Sequence, residues 1–261
     1  MTGSFDGKIA VVTGGASGIG EACCRTLAAL RARVVVADLD EERARRVAEA
    51  IHGVPLLLDV GSAESCEAAA ARCEAAVGAV DALVTSAGVI QRPLPPEALP
   101  LEDVDRVVEI DQRGTYLSCV AFGRRMARRG RGAIVTIASI AGMRSMPLHA
   151  YAPAKAAVIA MTQCLAAEWG RSGVRINSVS PGFTVTPALQ AAIDKGERDV
   201  TLLAANSALG RMVRADEVAR AVAFLLSDEA SAITGANLPV DAGWLVAPSW
   251  NTYGGVPPRR S

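Results

Sequence analysis

Residues 8–40 read KIAVVTGGASGIGEACCRTLAALRARVVVADLD. KIAVVT and RVVVAD are short, nearly continuous apolar runs rich in β-branched residues, and an amphipathic stretch of helical length, 18–30, separates them. A strand, a glycine-rich turn, a helix and a second strand in that order are the parts of a parallel crossover. The rhythm continues outward. Helices are expected at 41–51, 63–77, 101–129, 150–171 and 215–227, and strands at PLLLDV, ALVTSA, GAIVTIAS, VRINSVSP and NLPVDA. Strands apolar on every position are buried on both faces, which requires helices above and below the sheet. The predicted fold class is α/β, a doubly wound parallel sheet of about seven strands.

The 261 residues carry no repeat, no low-complexity segment and no linker, so one domain over 1–261 is expected. Hydrophobic residues make up 51% and aromatics 4%, a core of Ala, Val, Leu and Ile. Twenty-seven basic and 27 acidic residues cancel, which disfavours nucleic acid or an anionic membrane as partner. With neither a 20-residue apolar run nor a signal-peptide pattern at MTGSFDGK, a soluble cytoplasmic protein is expected. Cysteines 23, 24, 66, 73, 119 and 164 lack metal-ligand spacing and only two histidines are present, so reduced thiols and no metal are expected. The arginine cluster at 123–132 closes a predicted helix, where cations complement the exposed carbonyls. Two segments break the rhythm. Residues 183–210 follow the carboxyl end of a strand, where a substrate lid is expected, and the proline-containing tail 247–261 is expected to be neither helix nor central strand.

The turn TGGASGIG, 13–20, sits between the first strand and first helix. Gly14, Gly18 and Gly20 there permit a tight turn, close approach of the backbone to a pyrophosphate, and tight packing of helix on strand. Asp38 ends the second strand 18 residues after Gly20, placed to accept hydrogen bonds from adenosine ribose hydroxyls and to repel a 2′-phosphate. Arg31 lies before that strand and Arg33 at its start, rather than just after its end, so both are poorly placed to hold such a phosphate. The expected cofactor is NAD.

Together with Asp59-Val60, the SAG of 86–88, Ser139 with Tyr151-x-x-x-Lys155, and PGFTVT at 181–186, this turn resembles the short-chain dehydrogenase/reductases from about residue 5 to 246. The resemblance implies a one-domain Rossmann fold, a nicotinamide cofactor, hydride transfer between an alcohol and a carbonyl, and a homotetramer. It places the pyrophosphate over Gly14, Ser17 and the Gly18-Ile19-Gly20 turn, the adenosine by Asp38, Leu39, Asp59 and Val60, and the nicotinamide ribose near Ala87 and Gly88. Pro181, Gly182, Val185 and Thr186 would border the nicotinamide.

Tyr151 and Lys155 lie four apart on a predicted helix and share a face. A phenol with a reference pKa of about 10 is a poor base at neutral pH, and a neighbouring ammonium favours its phenolate. Tyr151 is thus the expected acid–base group, taking the alcohol proton as hydride leaves the carbinol carbon. Ser139 would position the same oxygen, and by resemblance Lys155 also grips the nicotinamide ribose. Pro153 fits a helix only in its first turn, which puts Tyr151 at the helix start.

Three positions depart from the family's pattern. Asp111, in VEIDQRGTY, replaces an asparagine of the catalytic tetrad and adds a negative charge near Lys155. Thr85-Ser86 replaces two asparagines, and a hydroxyl there can still bond nearby backbone. Ser139 precedes Tyr151 by 12 positions, one fewer than usual, which tightens AGMRSMPLHA. Gln91, Arg92, Arg144 and His149, with Phe183, are the substrate candidates, the polar ones favouring a hydroxylated or anionic substrate unless they are merely solvated. The reading is an NAD-dependent enzyme interconverting a secondary alcohol, such as a polyol or sugar, and its ketone. A 3-oxoacyl-thioester reductase, or a nucleotide-binding homologue without turnover, are the alternatives.

Overall fold

Each strand of the sheet alternates its side chains between two separate cores, and this is why the strands read as unbroken apolar runs. Ala10, Val12, Val34, Val36, Val84 and Val135 face one layer, while Val11, Val35, Leu83, Ile134 and Ile176 face the other. The computed structural model describes residues 5–196 and 199–257. In chain order it has β1 (Ile9–Thr13), α1 (Gly18–Ala29), β2 (Arg33–Asp38), α2 (Glu41–Ala50), β3 (Val54–Leu57), α3 (Ala63–Ala76), β4 (Ala82–Thr85) and α4 (Leu101–Val107). There follow α5 (Gly114–Arg129), β5 (Gly132–Ile137), α6 (Tyr151–Trp169), β6 (Val174–Pro181), β7 (Thr184–Val185), α7 (Pro187–Asp194), α8 (Val200–Ala205), β8 (Val213–Arg214), α9 (Ala215–Leu226) and β9 (Asn237–Val240). Helices α1, α2 and α9 cover the first layer, and α3, α5 and α6 the second.

The main sheet has seven strands in the order β3-β2-β1-β4-β5-β6-β9, every pairing parallel. Neighbours β1 and β4 are not consecutive in the chain, so the winding reverses between them and their carboxyl ends splay two loops apart. Such a switch point is where open α/β sheets place a crevice.

Two sequence expectations need correction here. The helix predicted over 101–129 is continuous but not uniformly α, because a wide π turn, Val108–Arg113, joins α4 to α5. Single π turns inside α-helices re-aim side chains and recur at functional sites; this one carries Asp111. The tail, expected to be non-helical, forms a 3₁₀ turn at Pro248–Tyr253, which Pro248 can open because its missing N–H has no partner to serve there. Residues 258–261 of the tail, and 197 and 198 of the expected lid, lie outside the described residues. The rest of 183–210 contains α7, α8 and β7, which pairs with β8 to make a small parallel ribbon.

The arginine cluster is an inter-helix ladder. On α5, Arg124 and Arg125 pair with Glu67 of α3, and Arg125 and Arg129 pair with Glu74. Among the described residues no helix is long and apolar enough to cross a membrane. No group of three or more potential metal ligands occurs among them. All six cysteines are free, five buried and Cys164 exposed.

Candidate active site

A cleft of about 1380 Å³ opens at the carboxyl ends of the strands, larger than the roughly 300–1000 Å³ typical of a drug-sized ligand. At one end lies the turn between β1 and α1. Gly14 has φ +65°, and a Cβ on it would come within 2.6 Å of the Ala87 nitrogen. A Cβ on Gly20 would fall 2.0 Å from the Gly14 carbonyl oxygen. Side chains at either position would push the turn off the β4 loop or off its own helix. Ser17 precedes the first turn of α1 without capping it, so the hydroxyl and the helix's leading N–H groups remain available to an anion. Gly14, Ser17, Gly18 and Ile19 line the cleft, whereas buried Gly20 only packs.

Asp38 and Leu39 continue this wall, with Leu58, Asp59 and Val60 beyond them. Asp38 Oδ2 accepts the Ala16 N–H at 3.1 Å and Oδ1 accepts the Asp40 N–H at 3.0 Å, which fixes the carboxylate while leaving each oxygen a further lone pair. Arg43 also lines this end, ion-paired with Asp40 at 3.1 Å. Sequence reading missed it because it lies in α2 rather than at the strand's end. The open turn, the uncapped helix and the carboxylate are a donor–acceptor set that fits a dinucleotide.

At the other end, Ser139, Tyr151, Lys155 and Asp111 converge from three elements, the turn after β5, α6 and the π turn. Ser139 follows β5 and starts a 3₁₀ turn; its Oγ accepts the Ala141 N–H at 3.1 Å, which leaves the hydroxyl proton free to point into the cleft. Tyr151 is the first residue of α6, with Pro153 in the first turn as the sequence requires. Lys155 comes up one turn later with its Nζ 5.4 Å from the Tyr151 ring centre. That nitrogen donates to the Ile137 carbonyl at 3.1 Å and pairs with Asp111 Oδ2 at 3.0 Å, close enough for charge pairing though not aligned as a hydrogen bond. One N–H of the ammonium is left for another partner.

Asp111 is fully buried. Its Oδ1 accepts the Val89 N–H at 2.8 Å, and its carbonyl accepts the Thr115 hydroxyl at 2.7 Å, a bond across the π turn. Burial lowers the affinity of Lys155 for its proton, but the neighbouring Tyr151 and Asp111 outweigh it and the Lys155 pKa moves upward on balance. The ammonium is therefore firmly charged.

Ala87, Gly88, Pro181, Gly182 and Thr186 line the cleft between these two ends. Val185 is 41% exposed and does not line it. The polar substrate candidates are redistributed. Arg144 and His149 are exposed on the loop before α6, outside the lining, and Met146 and Leu148 of that loop face the cleft instead. Gln91 lines the cleft as expected, 4% exposed, with its amide oxygen on the backbone of Ala150 and Tyr151. Arg92 stays exposed at the mouth, and Phe183 lines the cleft against Trp244, with ring centres 5.7 Å apart. The wall beside Ser139 and Tyr151 is consequently apolar, formed by Ile140, Met146, Leu148 and Phe183. Thr85, expected to bond backbone, is buried with its hydroxyl unpaired among the described residues, because β4 directs it into packed core.

The comparisons with known proteins agree with this architecture. The family described as enoyl-(acyl carrier protein) reductase matches residues 14–245. D-threitol dehydrogenase of Mycolicibacterium smegmatis (strain ATCC 700084 / mc(2)155) is 41% identical over 248 residues, covering 93% of this chain and 94% of its own. A crystal structure described as ribose-5-phosphate isomerase from Brucella melitensis 16M is 56% identical with a TM-score of 0.97, each chain covered in full. A gluconate 5-dehydrogenase from Burkholderia cenocepacia J2315, in complex with NADP and tartrate, is 32% identical with a TM-score of 0.87, covering 94% of this chain and 97% of its own. The chain belongs to the short-chain dehydrogenase/reductase family, oxidoreductases built on a nicotinamide-dinucleotide-binding Rossmann fold.

Proposed function

We propose that this protein is an NAD-dependent dehydrogenase that interconverts a secondary alcohol and its ketone, with Tyr151 as the acid–base group. The observation that carries the reading is the convergence of Ser139, Tyr151 and the buried, charged Lys155 at one end of a cleft whose other end is built for a dinucleotide. Gly14, Ser17, Gly18 and Ile19 would hold its pyrophosphate and Asp38 its adenosine ribose, while Ala87, Gly88, Pro181, Gly182 and Thr186 border the nicotinamide half. The bound nicotinamide supplies the hydride acceptor or donor.

Ser139, its proton free, donates to the substrate oxygen and fixes it beside the Tyr151 hydroxyl. The Lys155 ammonium stabilises the phenolate, so that Tyr151 accepts the alcohol proton in oxidation and returns it in reduction. Lys155 has one N–H left for a ribose hydroxyl. Support for NAD over NADP is the Asp38 carboxylate, which meets a 2′-phosphate with like charge; Arg43, the cation that follows it in the lining, is already paired with Asp40. A preference for NADPH above tenfold would instead favour the 3-oxoacyl-thioester reductase reading.

Polyols and sugars are the proposed substrates, since threitol and gluconate are what two relatives' names record. The apolar wall of Ile140, Met146, Leu148 and Phe183 favours a second reading, a cyclic secondary alcohol with a hydrocarbon face. Segment 183–210, which contributes Pro187, Leu189 and Lys195 to the lining, is proposed as the lid. A cytoplasmic homotetramer of single-domain chains completes the reading, to be checked by sedimentation.

The test is an absorbance screen at the NADH band with polyols, aldoses, hydroxy acids and cyclic alcohols, with ribose 5-phosphate added without cofactor. Tyr151→Phe in the best substrate should lose 10²- to 10⁴-fold in turnover. Retention of more than about a tenth, or isomerisation of the sugar phosphate without cofactor, overturns the proposal.

A further inference from the structure

Gln91 stands on the segment that leaves β4, 60 positions before Tyr151, yet its Oε1 accepts the backbone N–H of Ala150 at 2.5 Å and of Tyr151 at 2.9 Å. The first N–H groups of a helix have no partner within it. An N-cap side chain ordinarily serves the second or third of them and leaves its own N–H and the first to other partners; here the N-cap is Ala150, which caps nothing. The carboxamide of Gln91 takes the two leading N–H groups, of Ala150 and Tyr151, from a distance, 4% exposed and steadied by its own Nε2, which donates to the Arg92 carbonyl at 3.4 Å.

The same segment is fastened a second time. Two residues earlier, Val89 donates its N–H to Asp111, the partner of Lys155. Ala87 and Gly88, which border the cleft, lie directly upstream. A Cβ on Gly88 would meet Asp111 Oδ2 at 2.9 Å and Lys155 Nζ at 3.5 Å, so this backbone lies against the ion pair itself.

We propose that Gln91 is a positioning residue: as the remote cap of α6 it sets the placement of Tyr151 relative to the nicotinamide wall, Ala87–Gly88, and does not contact substrate. The proposal rests on Tyr151 being the acid–base group. A displacement of about 1 Å in such a group costs on the order of 10²-fold in rate. Loss of the cap would therefore appear in turnover while the dinucleotide end of the cleft is untouched.

Three variants test it beside Tyr151→Phe. Gln91→Ala removes the acceptor, Gln91→Asn draws it back by one methylene, and Gln91→Glu keeps an acceptor at full reach. For each, kcat and KM are measured on the best alcohol, with NADH affinity by fluorescence to count folded sites. Gln91→Ala and Gln91→Asn should lose 10- to 100-fold in kcat per NADH-binding site with NADH affinity within threefold of wild type, and Gln91→Glu should keep at least a third of wild-type kcat. If Gln91→Ala fails to fold, the Asn and Glu pair decides. The inference is overturned if Gln91→Asn keeps kcat within twofold of wild type, if Gln91→Glu loses as much as Asn, or if the loss lies wholly in KM. A Tyr151→Phe variant with near wild-type turnover would sink the acid–base reading instead, whatever the Gln91 series shows.

Discussion

Replacing Asp111 with Asn probes the feature in which this chain departs most from its family. The side chain keeps its shape and loses its charge, 3.0 Å from Lys155 Nζ in a fully buried position. Asp111 faces two donor groups, accepting the Val89 N–H through Oδ1 and pairing by charge with the ammonium through Oδ2. An amide has one acceptor oxygen, so in either orientation its NH₂ faces a donor. A buried donor left unpaired costs about 1–3 kcal/mol, and stripping a buried ammonium of its counter-charge costs up to about 3–5 kcal/mol. A net loss of about 2–4 kcal/mol is expected, on the order of 5–10 °C in melting temperature for a domain of this size.

The kinetic consequence has the opposite sign. Asp111 Oδ2 lies 3.0 Å from Lys155 Nζ, which is itself 5.4 Å from the Tyr151 ring centre, so the carboxylate is at most about 8 Å from that ring. A charge at that outer limit and an effective dielectric of about 20 is worth about 2 kcal/mol, and solvent in the open cleft reduces this to about 1.4 kcal/mol, a factor of about ten. Removing the negative charge favours the phenolate. The rising limb of alcohol oxidation, followed from about pH 6 to about pH 10.5 at saturating cofactor, should move toward lower pH by about 1, raising the rate up to about tenfold below its midpoint. A profile that stays within about 0.3 of its wild-type pH position, together with an unchanged melting temperature, would refute the buried pair. A hundredfold gain in turnover would exceed what one charge can supply and would mean that Asp111 impairs this enzyme in some other way.

Other consequences follow from the same geometry. Asp38→Asn keeps an acceptor for the turn and removes the charge facing a 2′-phosphate; the NADPH to NADH ratio of kcat/KM should rise about 30- to 100-fold, and a change below threefold would mean that Asp38 does not set cofactor choice. Burial pushes Cys23 and Cys119 up to about 12 and Cys73 up to about 11. These thiols stay protonated in the folded chain while unfolded ones ionise above about pH 9, so stability should fall from that pH upward by as much as about 1.4 kcal/mol per pH unit for each. The urea midpoint should therefore drop between pH 8 and pH 10, and an equal midpoint would contradict the burial. In the native protein one thiol, exposed Cys164, should react promptly with a thiol reagent, and all six after unfolding.

The sequence determined a great deal here for a local reason. A parallel sheet buried on both faces needs apolar residues at every strand position, so β1, β2, β4 and β5 announce themselves without partners. The turn at 13–20 must be made of glycine where backbones nearly touch, and Tyr151 and Lys155 must be four apart to share a helix face. Pro153 even set the start of α6. What the sequence did not reveal is contact between distant segments. Arg144 and His149 look like substrate ligands in the one-dimensional string, yet their loop turns Met146 and Leu148 inward and leaves them in solvent. Gln91 does line the cleft, but no local pattern shows that its amide oxygen also holds a helix 60 residues away. The π turn that sets Asp111 against Lys155 has no sequence signal, because it is a displacement of helical register that tertiary packing selects. Local spacing decided which groups are available for chemistry; only the packing of β4's loop, the π turn and α6 against one another decided which of them meet.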